Sequence, residues 1–476
     1  MTRPVTHRPI ISLELNELCA PLLDRWMADG SLPHFRTLHG RSQIFDTLAD
    51  TDSPEELEPW IQWYSVHTGL GYDQHQVFRL TDGRSAPHAD IWDAVADSGG
   101  KVMNFASMNA RPFVRAGSLY VGDPWSEQGD ACPPELNIYN RFVGHNVREY
   151  SNAENRLSAS DYAAFLRFAL SHGLSAATAL RITSQLAGER LGKTHSHARV
   201  AILDALQYDV FAHYYRRIRP RFASFFANSV AHLQHGYWRH MDPDAFAVKP
   251  AADETARYAS AIRDGYVAMD AMVGRFVDLA AKHDALIVFQ TALSQQPFAR
   301  YDHQGGQHFL RLRDHRAFLA RCGITARSAD PTMTHQYMLR FDNQAQRAAA
   351  KTRLEAFVLA DGHQVFATRD DGNTDALYFG CQISWQIDAE MLMTDAASGQ
   401  AMTIGSLLYA MEGVKSGCHS PQGSLWIAEG VHVRHAEPVS ILDIYPTMLD
   451  LMGLTAPAPD RHGRSLTPLL GSRAAA

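Results

Sequence analysis

Apolar and polar positions fall along this chain in blocks whose periods separate strands from helices. Ile10-Ile11-Ser12-Leu13-Glu14-Leu15 is a short apolar-rich run ending in the polar pair Asn16-Glu17. That pattern predicts a strand whose carboxyl end opens into a site. Pro21 then falls in the first turn of a helix running to about Ala28, and Asp29-Gly30 stops it. Phe222 to Asn228 reads as another such strand, leading into His232-Leu233-Gln234-His235. Apolar residues at Ile262, Val267, Met269, Met272, Val273 and Phe276 predict one long amphipathic helix from roughly Asp253 to Lys282. Ala285-Leu286-Ile287-Val288-Phe289 is apolar throughout, as a parallel strand buried on both faces must be. Strands alternating with helices predict an α/β fold with a mainly parallel central sheet and helices on both faces. In such folds ligands gather at the carboxyl ends of strands.

Two stretches break this rhythm. Residues 130–215 are mostly helical in pattern, most clearly over Tyr162 to Phe168 and Val200 to Tyr215. Residues 297–400 mix turns, a helix near Arg347 to Leu359, and the strand-like Gln364-Val365-Phe366-Ala367. Both are expected to be insertions or caps on a single domain spanning 1–476. No internal repeat is visible, and the small-residue tail Ser472 to Ala476 is expected to fray.

Composition narrows the function classes. A chain of 476 residues with 46% hydrophobic and 20% charged content can bury a large core. Lys+Arg 44 against Asp+Glu 51 gives −7, so a nucleic-acid partner is not expected. Cys19, Cys132, Cys322, Cys381 and Cys418 show no CxxC spacing, which argues against a disulfide framework and for a reducing compartment. Met1 to Pro9 lacks the apolar run of a signal peptide, and no stretch approaches the ~18 apolar residues of a membrane span. The expectation is a cytoplasmic protein with no membrane partner.

Histidine is the outlier, with 24 copies. His419, in Ser416-Gly417-Cys418-His419-Ser420-Pro421-Gln422-Gly423, lies far from His232 and His235, and all three stand beside Gly or polar residues. Widely spaced imidazoles of this kind are what a fold-assembled metal site requires. Satisfied structural histidines are the plainer alternative. If residues 232–235 open a helix, His232 and His235 share one face at i,i+3.

Five segments, in order, resemble the alkaline phosphatase superfamily, on its type I phosphodiesterase and nucleotide pyrophosphatase branch. Leu22-Leu23-Asp24-Arg25 followed by Gly30-Ser31-Leu32-Pro33-His34-Phe35 resembles the opening helix and its Gly-x-Leu-Pro-Asn turn. Trp63-Tyr64-Ser65-Val66-His67-Thr68-Gly69-Leu70 resembles the segment after the nucleophile. His232 to Arg239 resembles the Asp-x-x-x-His metal segment, and Gly417-Cys418-His419 with Gly423 the late His-x-x-x-Gly one. Ile444 to Leu454, then Gly463-Arg464-Ser465-Leu466, is similar to the C-terminal signature.

The resemblance implies an alkaline-phosphatase-like α/β core with two metal ions, usually zinc, at strand ends. Such ions polarise a phosphoryl oxygen and activate a hydroxyl or water. Carried over by residue, the site is reduced. The first ligand position holds Asn16, with Glu17 next to it. The nucleophile position holds Pro59, with Glu58 beside it to act as base, ligand or nucleophile. The Asp of the second segment falls at Ala231, and the Asp-His pair after the third strand falls near Thr291-Ala292-Leu293-Ser294. His235 and His419 carry over directly, and His232 is an extra imidazole able to replace the missing Asp. The loop Asp302 to His308 is a further source of replacement ligands. Ser65, Thr68 and His67 read as core residues, and Trp60, Trp63, Tyr237 and Trp238 as packing rather than a substrate platform.

The expectation that the resemblance implies is a phosphoester or phosphodiester hydrolase or transferase acting on a small anionic substrate or ligand, with a remodelled centre holding one divalent ion in place of two, or none. Zinc comes first, with manganese or magnesium as alternatives. His235, His419, Glu17 and Asn16 are the candidate ligands, and Glu58 and His232 the candidate catalytic groups. Two other readings stay open: a non-catalytic relative binding an anionic ligand or partner protein, and an enzyme with non-phosphoryl chemistry.

Overall fold

The computed structural model describes residues 8–51, 53–54, 56–125, 129–148, 157–192, 196–332, 335–370, 375–411, 413–455 and 461–470. Met1 to Pro9 is therefore described only from Arg8, and the tail Ser472 to Ala476 lies outside the described residues.

The apolar run at the start forms β1 (Ile10–Leu15), and every residue of it is buried. Next come β2 (Gln43–Leu48), β3 (Val102–Phe105), β4 (Leu119–Val121), β5 (Phe222–Ala227), β6 (Leu286–Gln290) and the short β7 (Ser294–Pro297). The central sheet has nine strands, in the order Val433–Arg434, β2, Gln422–Ile427, β6, β1, β5, β3, β4, with Val439–Ser440 also on β2. β1 pairs parallel with β5 and β6, and β3 pairs parallel with β4 and β5. Gln422–Ile427 runs antiparallel to both β2 and β6. The sheet is thus mainly parallel.

Side-chain alternation splits each central strand between two cores. Ile11, Leu13, Ala223, Phe225, Ile287 and Phe289 pack with the helices Ala20–Ala28, Val200–Ile218 and Ala261–His283. Ile10, Phe222, Phe226, Leu286 and Val288 pack with Pro59–Thr68, Ile91–Asp97 and Ile444–Leu451 on the opposite face. Helices cover both faces, which is why these strands are apolar at most positions on both sides. Small buried serines, Ser12 and Ser224, sit within the strands, and larger polar residues cluster toward the carboxyl end of β1 and just past it, at Glu14, Asn16 and Glu17.

Between β4 and β5 the chain is helical, with Asn137–Arg148, Ala159–Ser171, Ala176–Arg190 and Val200–Ile218. Residues 310–408 build a separate apolar core around Phe318, Leu339, Leu354, Phe366, Leu377 and Met393. Small antiparallel sheets frame it, and Leu310–Leu312 pairs with Leu408–Ala410 where the chain enters and leaves.

Two expected helices differ. The long helix from Asp253 is two, Ala252–Tyr258 and Ala261–His283. Ser260 Oγ donates to Asp264 at 2.7 Å, a local side-chain bond that restarts the helix. Val267, counted in its apolar stripe, is 42% exposed. The helix near Arg347 runs Gln344–Leu354, capped by Asn343, and Phe357–Leu359 is instead a strand antiparallel to Leu392–Asp395. Burial of Phe357 and Leu359 on one face imposes the two-residue period that ends the helix.

Candidate metal centre

Glu17 follows β1 and its backbone is left-handed, φ 60°. Ala106 after β3 (φ 65°) and Ala292 after β6 (φ 57°) share that conformation. Left-handed backbone at non-glycine residues is disfavoured and persists where the surroundings impose it, often at functional sites. At Glu17 the turn aims a buried carboxylate beyond the strand ends.

Two imidazoles meet it there. His235 Nε2 stands 3.2 Å and His419 Nε2 3.6 Å from Glu17 Oε2. The rings are 5.1 Å apart between centroids, nearly perpendicular. Among the described residues, Glu17, His235 and His419 form the group of metal-binding side chains whose donor atoms all lie within 4.8 Å of one another. His235 comes from the second turn of the helix Ser229–Met241 and His419 from the strand Gly417–Ser420, which pairs with β7 in a register setting His419 opposite Gln295.

The surroundings orient this group. His235 Nδ1 donates to the Gly417 carbonyl at 3.0 Å, which fixes the ring with Nε2 turned to Glu17. Glu17 Oε1 accepts from Asn16 Nδ2 at 2.7 Å, and Glu17 Oε2 accepts from Gln295 Nε2. Gln234 Nε2 donates to the Glu17 carbonyl at 2.8 Å, and Tyr266 donates to Gln234. Gly417 is required by this packing, because a Cβ there would lie 2.5 Å from both the Gln234 carbonyl and Gln295 Oε1.

Charges follow. Burial raises the Glu17 carboxyl, but the fields of His419 and His235 and hydrogen bonds from His235 and Gln295 outweigh it, leaving it at about 2. Burial holds His419 down at about 4 against the pull of Glu17, so near neutrality it is an uncharged imidazole, the form that ligates. Glu58, with Oε2 3.6 Å from His419 Nδ1, is pushed up to about 7 by burial, with Lys415 opposing and Glu17 reinforcing. It directly precedes Pro59 at the start of the helix Pro59–Thr68.

The donor set fits one divalent cation: one carboxylate oxygen and two imidazole nitrogens, one of them with its second nitrogen fixed by a backbone carbonyl. It does not repeat the two-ion set that the family resemblance implies, since Ala231 and Thr291 to Ser294 add no ligand to the group.

The other candidates fall as follows. Asn16 is committed elsewhere: Trp63 Nε1 donates to its carbonyl at 2.7 Å, and its amide bonds Glu17 and Asn228. It positions the carboxylate and is not placed as a ligand. His232, one turn before His235, is exposed and lines the cleft outside the ligand group. The loop Asp302 to His308 adds no side chain to the ligand group; Asp302 pairs with Arg239 at 2.8 Å and accepts from the Ala247 amide. His67 is buried against Glu14, Nε2 to Oε1 3.2 Å, and Ser65 bonds Asp50 and His75. Gln295 and Gln234 were not anticipated. Gln295 stands directly after the motif position Thr291 to Ser294, so a polar residue just past a vacated ligand position was the available signal.

One cleft of about 3430 Å³ takes in Glu17, Glu58, His232, His235 and His419 and extends along residues 310–410 and the helices between β4 and β5.

No protein-family description matches the chain, and no curated protein matches it. Among solved structures, it is similar to a phosphonoacetate hydrolase from Sinorhizobium meliloti 1021 in complex with phosphonoformate, at 12% identity and TM-score 0.38, over 94% of this chain and 96% of that one. It is also similar to the alkaline phosphatase PafA, at 11% identity and TM-score 0.47, over 97% of this chain and 98% of that one. Likeness at these values leaves the chemistry to be read from the site's own residues.

Proposed function

We propose that this chain is a metal-dependent hydrolase of phosphoesters, phosphodiesters in particular, working with one divalent ion, zinc first, in a reduced alkaline-phosphatase-like centre. The observation that carries it is the convergence of Glu17 Oε2 with the Nε2 atoms of His235 and His419, with Glu58 3.6 Å beyond. Glu17, His235 and His419 would hold the ion, which when bound supplies Lewis-acid charge to a phosphoryl oxygen. Glu58 has the residue type and the raised pKa of about 7 suited to a general base near neutral pH. It takes a proton from the attacking water as the water oxygen bonds to phosphorus. The ester P–O bond breaks, and the leaving oxygen takes a proton from solvent. Pro59 at the nucleophile position favours this direct displacement over a covalent phosphoenzyme.

Pro59 also favours a second reading, in which the cleft binds an anionic ligand without turnover. Elemental analysis of the desalted protein beside His419→Ala, together with turnover of aryl phosphate mono- and diesters, separates the two. About one zinc or manganese per chain, lost in the variant along with diester turnover, is expected. Metal without turnover selects the binding reading. No metal and no turnover overturns the proposal.

A further inference from the structure

The cleft is far larger than a phosphoryl group needs, and its walls differ in character. Typical small-molecule sites enclose ~300–1,000 Å³, against about 3430 Å³ here. Near the metal ligands the wall is cationic. Lys415 lies over the Phe298 ring at 5.2 Å and Arg369 over the Tyr378 ring at 5.2 Å. Neither forms an ion pair with a carboxylate among the described residues, and both line the cleft.

The same cleft also runs along the helices Asn137–Arg148, Ala159–Ser171, Ala176–Arg190 and Val200–Ile218, where large apolar side chains line it beside polar ones such as Arg141, His145 and Asp161. Phe142 stacks on Phe165 at 3.7 Å and meets Tyr162 at 5.5 Å. Leu166 and Leu186 line this arm yet remain 54% and 46% exposed. Large apolar side chains left open along a groove mark a binding surface. The arm is continuous with the ion-binding end, so its occupant is joined to the group that Lys415 and Arg369 neutralise.

We propose that the substrate is an amphiphile: a phosphodiester whose anionic phosphoryl group lies at Glu17, His235, His419 and Lys415 while an alkyl or acyl chain lies in the apolar arm. This names the substrate class of the hydrolase proposed above and rests on that reading. A cationic wall at one end and open apolar side chains at the other fit one elongated ligand with those two properties. A nucleotide's polar base and ribose would leave the phenylalanine and leucine wall unmatched.

The test is turnover of a series of p-nitrophenyl alkyl phosphates, from methyl to octyl, below their micelle concentrations. For the native protein, kcat/KM is expected to rise with each methylene by about twofold to fourfold, the upper figure being what full burial of a methylene gives. In Leu166→Asp and Leu186→Asp, both at half-exposed positions, the slope is expected to flatten while methyl diester turnover stays unchanged. Turnover of short diesters with no dependence on chain length in the native protein overturns the inference and leaves the hydrolase reading standing. If no diester is turned over, calorimetric binding of dodecyl phosphate against ethyl phosphate decides. Preference for dodecyl phosphate that Leu166→Asp abolishes supports the amphiphile site, and equal affinities refute it. A dimer in solution that Leu166→Asp dissociates, with a flat chain-length profile, assigns the apolar face to a second copy of the chain and also refutes it.

Discussion

At the residue scale the site is a carboxylate held still by amides. Asn16 is hydrogen-bonded on both sides, to Glu17 and Asn228 through its amide and to Trp63 through its carbonyl. Removing such an orienting partner costs metal affinity without removing a ligand, typically about 10–100-fold. Asn16→Ala is therefore expected to weaken zinc binding by that order in a chelator-competition titration, with an unchanged far-UV spectrum. Glu58 makes a prediction with a sign. A general base works when deprotonated, so activity should rise with pH through about 7, where burial places this carboxyl. Glu58→Gln should flatten that limb and lower kcat by roughly 10²–10⁴-fold, read from a pH–rate profile. His235, His419 and Glu17 were visible in the sequence because neighbouring glycines and motif order marked them. The place of Asn16 beside Glu17 rather than on the ion was not, since an Asn at a strand end reads alike as ligand or orienter until its carbonyl's partner is known.

At the element scale, the site depends on one close strand–helix approach. The strand Gly417–Ser420 lies against Gln234 of the helix Ser229–Met241, with no room for a methyl group at Gly417. Gly417→Ala forces backbone carbonyl and amide side chain apart, and overpacking of this kind costs typically 1–3 kcal/mol. The expected result is loss of bound zinc by elemental analysis and a lowered urea midpoint. A second element carries its own pH signature. Asp204, on the helix Val200–Ile218 and bonded to Ser229, is raised by burial to about 7 from an ordinary 3.8. The folded state then binds the extra proton between about 4 and 7, so this group's contribution is present at the acid end of that window and is lost as pH rises through about 7. Asp204→Asn keeps a neutral hydrogen-bonding side chain and should remove that part of the pH dependence in melting curves taken from pH 5 to 8. Strand and helix positions were mostly legible from two- and 3.6-residue periods. The break at Ser260 was not, because a serine bond to Asp264 interrupts a helix without disturbing its apolar stripe.

On the scale of the whole molecule, a mainly parallel sheet gathers residues from positions 17, 58, 235 and 419 at one edge, while residues 310–408 hold a separate core beside them. On the proposed reading zinc binds the native sheet body and not the unfolded chain, so saturating zinc should stabilise that body by RT ln(1 + [L]/Kd), about 2.7 kcal/mol at 100-fold over Kd, and raise its melting temperature. Scanning calorimetry with and without a chelator should move the transition of the body and leave that of residues 310–408 in place. Among the described residues no helix is long and apolar enough to cross a membrane. Hydrophobic periodicity alone sufficed for the α/β class and the strand-end location of the candidate site, because burial imposes its period on local sequence; Glu17, His235 and His419 came instead from the order of motif-like segments. The meeting of Glu17 with His235 and His419, the recruitment of Gln295 and Gln234, and the joining of a cationic wall to a groove with apolar side chains were decided only in three dimensions. Each depends on side chains dozens to hundreds of positions apart meeting within a few ångströms, and no local pattern encodes such a meeting.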